Sequence, residues 1–303
     1  MSILVTGATG TVGRHVLQQL SKRGAEVRAF VRDPQTTATL AGVTVVQGDL
    51  LDVDSLRTAF SGVSTLFLLN AVVPDEFTQA LIALNLARES GVERVVYLSV
   101  IHSDLYANVP HFAGKFGVER AIEGMGFSAT ILRPAYFMDN DITIKDVVLR
   151  YGVYPMPIGG KGLAMVDARD IGEIAAIELV RREQATRTLP LDRINLVGPD
   201  VLTGADVATI WSEVTGRSIT YGGDDTAGFE RNLRQVMPNW MAFDMRLMSD
   251  RFLLDGMVPE SGDVDRLTAL LGRPPRSYRS FASEVAATDS AGSAQPQQQG
   301  SPS

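Results

Sequence analysis

The feature that most constrains the fold of this chain is a glycine-rich turn close to its start. Gly7, Gly10 and Gly13 follow the apolar run Ile3 to Val5 directly. In a turn from strand to helix, Gly7 permits the sharp bend, Gly10 lets a pyrophosphate approach bare backbone, and Gly13 lets helix and strand touch. The alternative is a tight turn that holds no ligand.

The residues around this turn favour a ligand. Gly13 to Lys22 predicts a helix and Glu26 to Val31 a second strand, so the turn opens a βαβ unit. The first N–H groups of that helix have no partner within it, and its dipole favours an anion there. We therefore predict that a dinucleotide binds at Gly7, Thr9, Gly10, Thr11, Val12 and Gly13.

Short apolar runs alternate with longer amphipathic segments up to about residue 150. The further strands are predicted at Val43 to Gln47, Thr65 to Leu69, Arg94 to Val100 and Ala129 to Leu132, and the further helices at Val53 to Phe60, Glu76 to Glu89 and Lys115 to Glu123. Apolar runs without polar alternation are typical of parallel strands buried on both faces. The pattern predicts an α/β fold, a Rossmann-type doubly wound parallel sheet with a smaller α/β C-terminal lobe.

The pattern changes after about residue 150, which predicts a division of the chain. Residues 1–152 form the predicted NAD(P)-binding domain, its sheet completed by part of 163–198, and residues 153–285 form the smaller substrate lobe. In that lobe, Trp240 to Leu254 predicts a methionine-rich helix that serves either as an apolar lid or as core. Residues 286–303 are poor in apolar residues and are predicted to be a disordered tail.

Composition excludes several classes of protein. The 303 residues carry a net charge of −7 and no basic block, which argues against nucleic acid as a partner. The chain has no cysteine, and its three histidines lack zinc-ligand spacing, so no disulfide and no metal site is predicted. No apolar run approaches the length of a membrane span, and no signal peptide is recognised. We expect a cytoplasmic protein, monomer or homodimer, that acts on a small-molecule acceptor.

The end of the second predicted strand indicates the type of dinucleotide. An NAD site usually has an acid there for the ribose 2′-hydroxyl, whereas this chain has Arg32 followed by Asp33. A guanidinium pairs a 2′-phosphate in bidentate fashion, so NADP(H) is the predicted cofactor, with NADPH preferred. Because Asp33 is an acid next to this position, NAD stays a possible cofactor. The alternative for Arg32 is an ion pair with Asp33 at the surface.

Two further segments follow predicted strands and lie on the expected path of the cofactor. Asp49 and Leu50 follow the third strand, where the carboxylate of Asp49 accepts from the adenine amino group or, alternatively, caps the helix that begins near Val53. Leu69 and Asn70 end the fourth strand and are predicted to lie along the cofactor ribose.

With these residues in place, the chain resembles the NmrA-like family of atypical short-chain dehydrogenases/reductases. The matching motifs, which together span about residues 1–285, are TGATGTVG, VRDP, GDLLD, RVVYLS, HFAGKFGVERAIEGMG, TILRPAYFMDN, VDARDIGEIA and LTALLGRPPRSYRSFASE. Within the family, it is most similar to bacterial NAD(P)H-dependent quinone, azo-dye and triphenylmethane reductases. Other members are regulators that bind the dinucleotide and catalyse nothing known.

The resemblance also implies catalytic positions. Short-chain dehydrogenases use Tyr-x-x-x-Lys with a preceding Ser, and this chain has His111, Lys115 and Ser99 at those places. Lys115 is predicted to hold the nicotinamide ribose. His111 is predicted to donate a proton, because histidine titrates near neutral pH; the alternative is that it caps the helix at Lys115 or packs against the lid. His102, in the loop after the fifth strand, is a weaker candidate for the same cleft.

The sixth predicted strand ends at a further candidate group. Pro134, Tyr136 and Phe137 are predicted to form the wall beside the nicotinamide, where either ring stacks on a flat acceptor or is plain core. The leading hypothesis is an NAD(P)H-dependent reductase that transfers hydride to a planar conjugated molecule such as a quinone or azo compound. The alternative is a catalytically silent NADP(H)-binding, redox-sensing regulator. An epimerase or dehydratase of nucleotide sugars is disfavoured, because such enzymes keep the tyrosine.

Overall fold

A computed structural model of the protein describes residues 2–293. The strands are β1 Ile3–Val5, β2 Val27–Val31, β3 Val43–Gln47, β4 Thr65–Leu68, β5 Arg94–Leu98, β6 Ser128–Pro134, β7 Val153–Tyr154, β8 Asp192–Leu196 and β9 Thr220–Tyr221. The α-helices are α1 Thr11–Lys22, α2 Val53–Phe60, α3 Glu76–Glu89, α4 Pro110–Gly124, α5 Lys145–Tyr151, α6 Ala168–Glu183, α7 Gly204–Thr215, α8 Thr226–Leu233, α9 Asn239–Leu254, α10 Asp263–Leu271 and α11 Tyr278–Ser293. Two 3₁₀ helices span Pro34–Thr36 and Met138–Ile144.

Seven strands form one parallel sheet in the order β3-β2-β1-β4-β5-β6-β8. The direction of strand order reverses between β1 and β4, which opens a crevice at the carboxyl ends of these two strands. A second, two-stranded parallel sheet pairs β7 with β9. The predicted α/β fold class, a Rossmann-type doubly wound sheet, is confirmed.

Both faces of the large sheet are buried at its central strands, which explains the unbroken apolar runs of those strands. Ile3 and Val5 of β1 belong to the apolar core on one face, whereas Leu4 between them belongs to the core on the other. Alternate strand residues point to opposite faces. β1 is thus held between two layers of helices, and its end, where the glycine turn begins, has a fixed position.

The part of the chain after residue 152 contributes to this sheet as well as to structure beyond it. β8 pairs with β6, and α6 packs tightly on α1, since a Cβ at Gly172 would lie 2.4 Å from Cβ of His15. His15 is therefore a packing residue. The helix α11 continues through residues 286–293, which corrects the predicted start of a disordered tail. Residues 294–303 of that predicted tail lie outside the described residues.

Within residues 2–293, none of the helices has the length and apolar character that crossing a membrane requires.

Candidate functional site

The turn between β1 and α1 has the geometry that its glycines predict. Gly7 has a φ of +61°, a left-handed conformation that glycine adopts without steric cost. A Cβ at Gly13 would lie 2.1 Å from the carbonyl oxygen of Gly7, so only glycine lets the helix approach the strand this closely. Thr6 fixes the turn from the other side, because its Oγ1 accepts from the Leu69 N–H at 2.8 Å.

The first turn of α1 is open to an anion. The helix begins at Thr11, its N-cap is Gly10, and no side chain makes a capping hydrogen bond there. The first turn also contains no acidic residue. The leading N–H groups and the positive end of the helix dipole are therefore available to a phosphate. These features fit the pyrophosphate of a dinucleotide.

A cleft of about 520 Å³ lies over this turn, at the carboxyl ends of the central strands. That volume falls within the range of small-molecule and cofactor sites. The sequence-predicted cofactor residues that line it are Gly7, Thr9, Gly10, Thr11, Val12, Arg32, Asp49, Leu50, Leu69, Asn70 and Phe137. Gly13, Lys115, Pro134 and Tyr136 are not among the lining residues.

Asn70 contributes an unusual group to the cleft wall. The residue is only 4% exposed, yet neither Nδ2 nor Oδ1 of its side chain has a hydrogen-bond partner among the described residues. A buried amide without partners costs free energy, and native proteins rarely leave one unsatisfied. A ligand with both a donor and an acceptor beside Asn70 removes that cost.

Where the cleft reaches the end of β2, Arg32 is exposed, and the described part of the chain contains no ion pair to it. Asp33 does not pair with Arg32; its carboxylate accepts from the Gln35 N–H at 3.0 Å and caps the short 3₁₀ helix. The alternative of an Arg32–Asp33 ion pair is therefore wrong. The guanidinium faces solvent beside the cleft and is free to meet an anion.

Asp49 lies on the cleft wall after β3. Its Oδ1 accepts from the Leu51 N–H at 2.9 Å, while α2 is capped by Asp52, which accepts from the Asp54 and Ser55 N–H groups. The alternative that Asp49 caps α2 is therefore wrong. A single bond from Leu51 leaves the carboxylate with further acceptor capacity toward the cleft.

Each of the three predicted catalytic side chains has a buried carboxylate partner. Nζ of Lys115 lies 2.5 Å from Oε1 of Glu76, at the start of α3, and both residues are less than a tenth exposed. Oγ of Ser99 donates to Oε1 of Glu119 at 2.5 Å. Glu119 is fully buried and also accepts from Ser103 and from the Arg133 guanidinium. Ser99 thus belongs to a largely buried polar cluster centred on Glu119 of α4.

The third predicted catalytic residue, His111, is the second residue of α4 and contacts a different acid. Its Nδ1 bonds to Oδ2 of Asp244 on α9, and its backbone N–H donates to Oδ1 of the same carboxylate at 3.1 Å. The His111 side chain is 10% exposed and that of Asp244 is 1% exposed. His102, whose φ is +55°, bonds through Nε2 to the Val258 carbonyl at 3.2 Å.

Sequence reasoning missed the acids Glu76, Glu119 and Asp244. Glu76 is the first residue of the predicted helix Glu76 to Glu89, and like the other two it carries no local signal of its partner. Asp244 lies 133 positions from its partner His111, so the fold alone brings them together.

Beyond β6, Tyr136 and Phe137 differ in their surroundings. Phe137 lines the cleft. The Tyr136 hydroxyl instead donates to buried Asp141, which also accepts from Tyr154 and Tyr278. Burial raises the pKa of Asp141 to about 6, although the three tyrosine hydrogen bonds act to lower it. The two residues are neighbours in sequence, but Phe137 is the one that faces the cleft.

The sheet order, the glycine turn and the open helix terminus define a dinucleotide-binding protein of the Rossmann class. The sequence profile of the NmrA-like family matches residues 1–260, and the chain belongs to that family. The predicted family is therefore confirmed.

Several relatives are similar over nearly the whole chain. An NAD(P)H azoreductase from Xenophilus azovorans is 27% identical over 94% of this chain and 98% of its own. The structure of the NADPH-dependent quinone oxidoreductase QOR2 of Escherichia coli, complexed with NADPH, has a TM-score of 0.83 at 25% identity, covering 93% of this chain and 99% of its own. NmrA, a negative transcriptional regulator solved in complex with NADP, has a TM-score of 0.75 at 20% identity over 97% of this chain and 98% of its own, which shows likeness of fold alone.

Proposed function

We propose that this protein is an NAD(P)H-dependent reductase that transfers hydride to a planar conjugated small molecule. The observation that supports it best is the buried Asn70, whose amide has no partner among residues 2–293, in a cleft that begins at an uncapped helix terminus. The relatives named an NAD(P)H azoreductase and an NADPH-dependent quinone oxidoreductase cover almost all of the chain. When bound, the cofactor supplies a hydride; the protein binds it, orients it and limits access of water.

NADPH is the preferred form of the cofactor in this proposal. Arg32 lines the cleft. The carboxylate of Asp33 accepts a hydrogen bond from the Gln35 N–H and does not neutralise the charge of Arg32. A 2′-phosphate beside Arg32 gains a charge-assisted contact that a 2′-hydroxyl does not. Lys115 holds the nicotinamide ribose, because an ammonium has three donors and Glu76 occupies one of them.

The acceptor class follows from the absence of a tyrosine at position 111. Reduction of an isolated carbonyl relies on a strong proton donor, whereas hydride addition to quinones, azo groups or cationic dyes gives stabilised anions or neutral products. For such acceptors, positioning supplies a large share of the rate. Phe137 on the cleft wall offers a ring against which a flat acceptor stacks.

Oxidation of NADPH by the purified chain, measured with quinones, azo dyes, cationic triarylmethane dyes and simple ketones, tests this proposal. We expect turnover with at least one conjugated class and little with ketones. Tight NADPH binding without turnover of any acceptor would contradict the reductase and support the alternative below.

The second candidate is a dinucleotide-binding regulator without catalysis. It is favoured by His111 in place of tyrosine and by the buried carboxylate partners of Ser99 and Lys115. The likeness of fold to NmrA agrees with it. Its distinguishing property is a change in affinity for a protein partner when NADP replaces NADPH.

A further inference from the structure

Within the proposed reductase, one buried acid from the C-terminal half of the chain has no other partner than the candidate proton donor. Asp244 of α9 is 1% exposed, and among the described residues both of its oxygens bond only to His111. The neighbouring charged residues of α9 are engaged elsewhere: Arg246 pairs with Glu230 and Asp250, and Arg251 pairs with Asp255.

The two contacts have different consequences. Through Oδ1, Asp244 caps α4, which has no capping side chain of its own. Through Oδ2, it fixes the imidazole, because Nδ1 must bear the hydrogen that this bond uses. Lys115, one turn further along α4, is paired with Glu76 and does not compete for Asp244. The orientation and tautomer of His111 are therefore set by a residue on another helix.

The arrangement leaves the other ring nitrogen available. Nε2 of His111 makes no hydrogen bond to any described residue, and the ring retains 10% of its surface exposed. α4 follows the carboxyl end of β5, so its first residues, His111 among them, lie at the edge of the sheet at which the cleft opens.

We propose that Asp244 is a positioning residue that holds His111 with Nε2 as the proton donor to the reduced acceptor; this inference rests on the proposed function. Reduction of a quinone or azo group takes up one hydride, with its two electrons, from the nicotinamide C4–H bond, and one proton. The donor is the doubly protonated ring: its Nε2–H bond breaks, an O–H or N–H bond forms on the product, Nδ1 keeps the hydrogen that it donates to Asp244, and solvent returns a proton to Nε2. A cationic triarylmethane dye needs the hydride alone, because hydride and carbocation combine to a neutral product.

This difference in proton demand gives the test. Asp244→Asn keeps an oxygen that caps α4 but removes the negatively charged carboxylate that contacts Nδ1 of His111. We expect kcat with quinones or azo dyes to fall at least ~10-fold, because a positioned general acid is lost. The KM for NADPH should change less than about twofold. The rate with a cationic triarylmethane dye should also change less than about twofold, because that reaction needs no proton. His111→Gln should show the same pattern, and the double variant should lose little more. Asp250→Asn, the same change on the same helix, is the matched control.

A second readout does not depend on turnover. The chain has only three histidines, so ¹⁵N-correlated NMR of the unliganded protein, with His15→Gln and His102→Gln for assignment, resolves the His111 ring. We expect a hydrogen on Nδ1 of His111 in the wild type and loss of that preference in Asp244→Asn. Three results would each overturn the inference while leaving an active reductase: an equal loss of rate with all acceptors in Asp244→Asn, unchanged rates in that variant, or an Nδ1 of His111 without hydrogen in the wild type. A wild type that reduces no acceptor overturns the proposed function, and this inference with it.

Discussion

At the scale of single residues, the cleft contains polar groups that the protein itself leaves unsatisfied. Asn70 is the clearest, since both atoms of its buried amide lack partners among the described residues. Arg32 is similar in kind but exposed, so its free state costs little. Asp33 and Asp49, by contrast, accept hydrogen bonds from nearby N–H groups. The unpaired hydrogen-bonding groups therefore lie where a bound ligand would supply their partners.

Replacing Asn70 by leucine should separate stability from binding. Because a buried amide without partners is destabilising, the unliganded Asn70→Leu variant should be as stable as wild type or more stable by about 1 kcal/mol. Its affinity for NADPH should fall ~10-fold, the cost of about one lost hydrogen bond. Thermal unfolding and calorimetric titration measure the two effects, with Asn85→Leu on the exposed face of α3 as the control. A variant that unfolds more easily and binds normally would contradict a ligand role.

At the scale of secondary-structure elements, the turn between β1 and α1 separates two roles among its glycines. Gly13 serves helix packing, because a Cβ there would meet the Gly7 carbonyl oxygen at 2.1 Å. Gly10 has a φ of −76°, which any residue adopts, and a Cβ there would meet that oxygen at 3.4 Å. Nothing in the packing of the turn therefore requires glycine at position 10.

Alanine substitutions should separate these roles. Gly13→Ala forces α1 away from β1, and we expect a loss of roughly 1–3 kcal/mol in the free energy of unfolding. Gly10→Ala should change stability by less than about 0.5 kcal/mol but weaken NADPH binding at least ~10-fold, because the methyl group occupies space beside the open helix terminus. Chemical denaturation and calorimetry test both. Normal NADPH affinity in Gly10→Ala would show that no phosphate approaches this backbone.

At the scale of the whole molecule, a buried cluster ties the C-terminal elements to the end of the sheet. Asp141 accepts from Tyr136 after β6, from Tyr154 of β7 and from Tyr278 of α11, and the Tyr278 oxygen accepts from Trp211 of α7 at 2.9 Å. Tyr136 directly precedes Phe137, which lines the cleft. The cluster therefore fixes the backbone from which Phe137 extends to the cleft wall.

The raised pKa of Asp141 predicts how this cluster responds to pH. Burial raises the pKa from 3.8 to about 6 in the folded state. Its contribution to stability is therefore fully present below about pH 4 and is lost as pH rises through 6. Relative to wild type, Asp141→Asn should gain stability over this window, by on the order of 2 kcal/mol. Urea denaturation from pH 4 to 7 measures the difference; a constant difference would contradict a raised pKa.

Local patterns in the sequence were sufficient to predict most elements of the sheet domain and the turn. The bounds of β3, α2 and α3 agree with the structure residue for residue, because the local sequence pattern and, for α2, the capping Asp52 lie within or beside each element. The predicted α4 begins too late, at Lys115; the helix itself begins at Pro110, a residue type that favours the first helical position. The pairs Lys115–Glu76 and His111–Asp244 depend on tertiary packing, so no local pattern predicted them.

The most direct test of the account is calorimetric titration of the purified protein with NADPH and with NADH, repeated on Arg32→Gln. We predict that the wild type binds NADPH at least ~10-fold more tightly than NADH and that Arg32→Gln loses this difference by weakening NADPH alone. Arg23→Gln, at the far end of α1, should retain it. No measurable affinity of the wild type for either dinucleotide would contradict the proposed site, and equal affinity for both would contradict the role of Arg32.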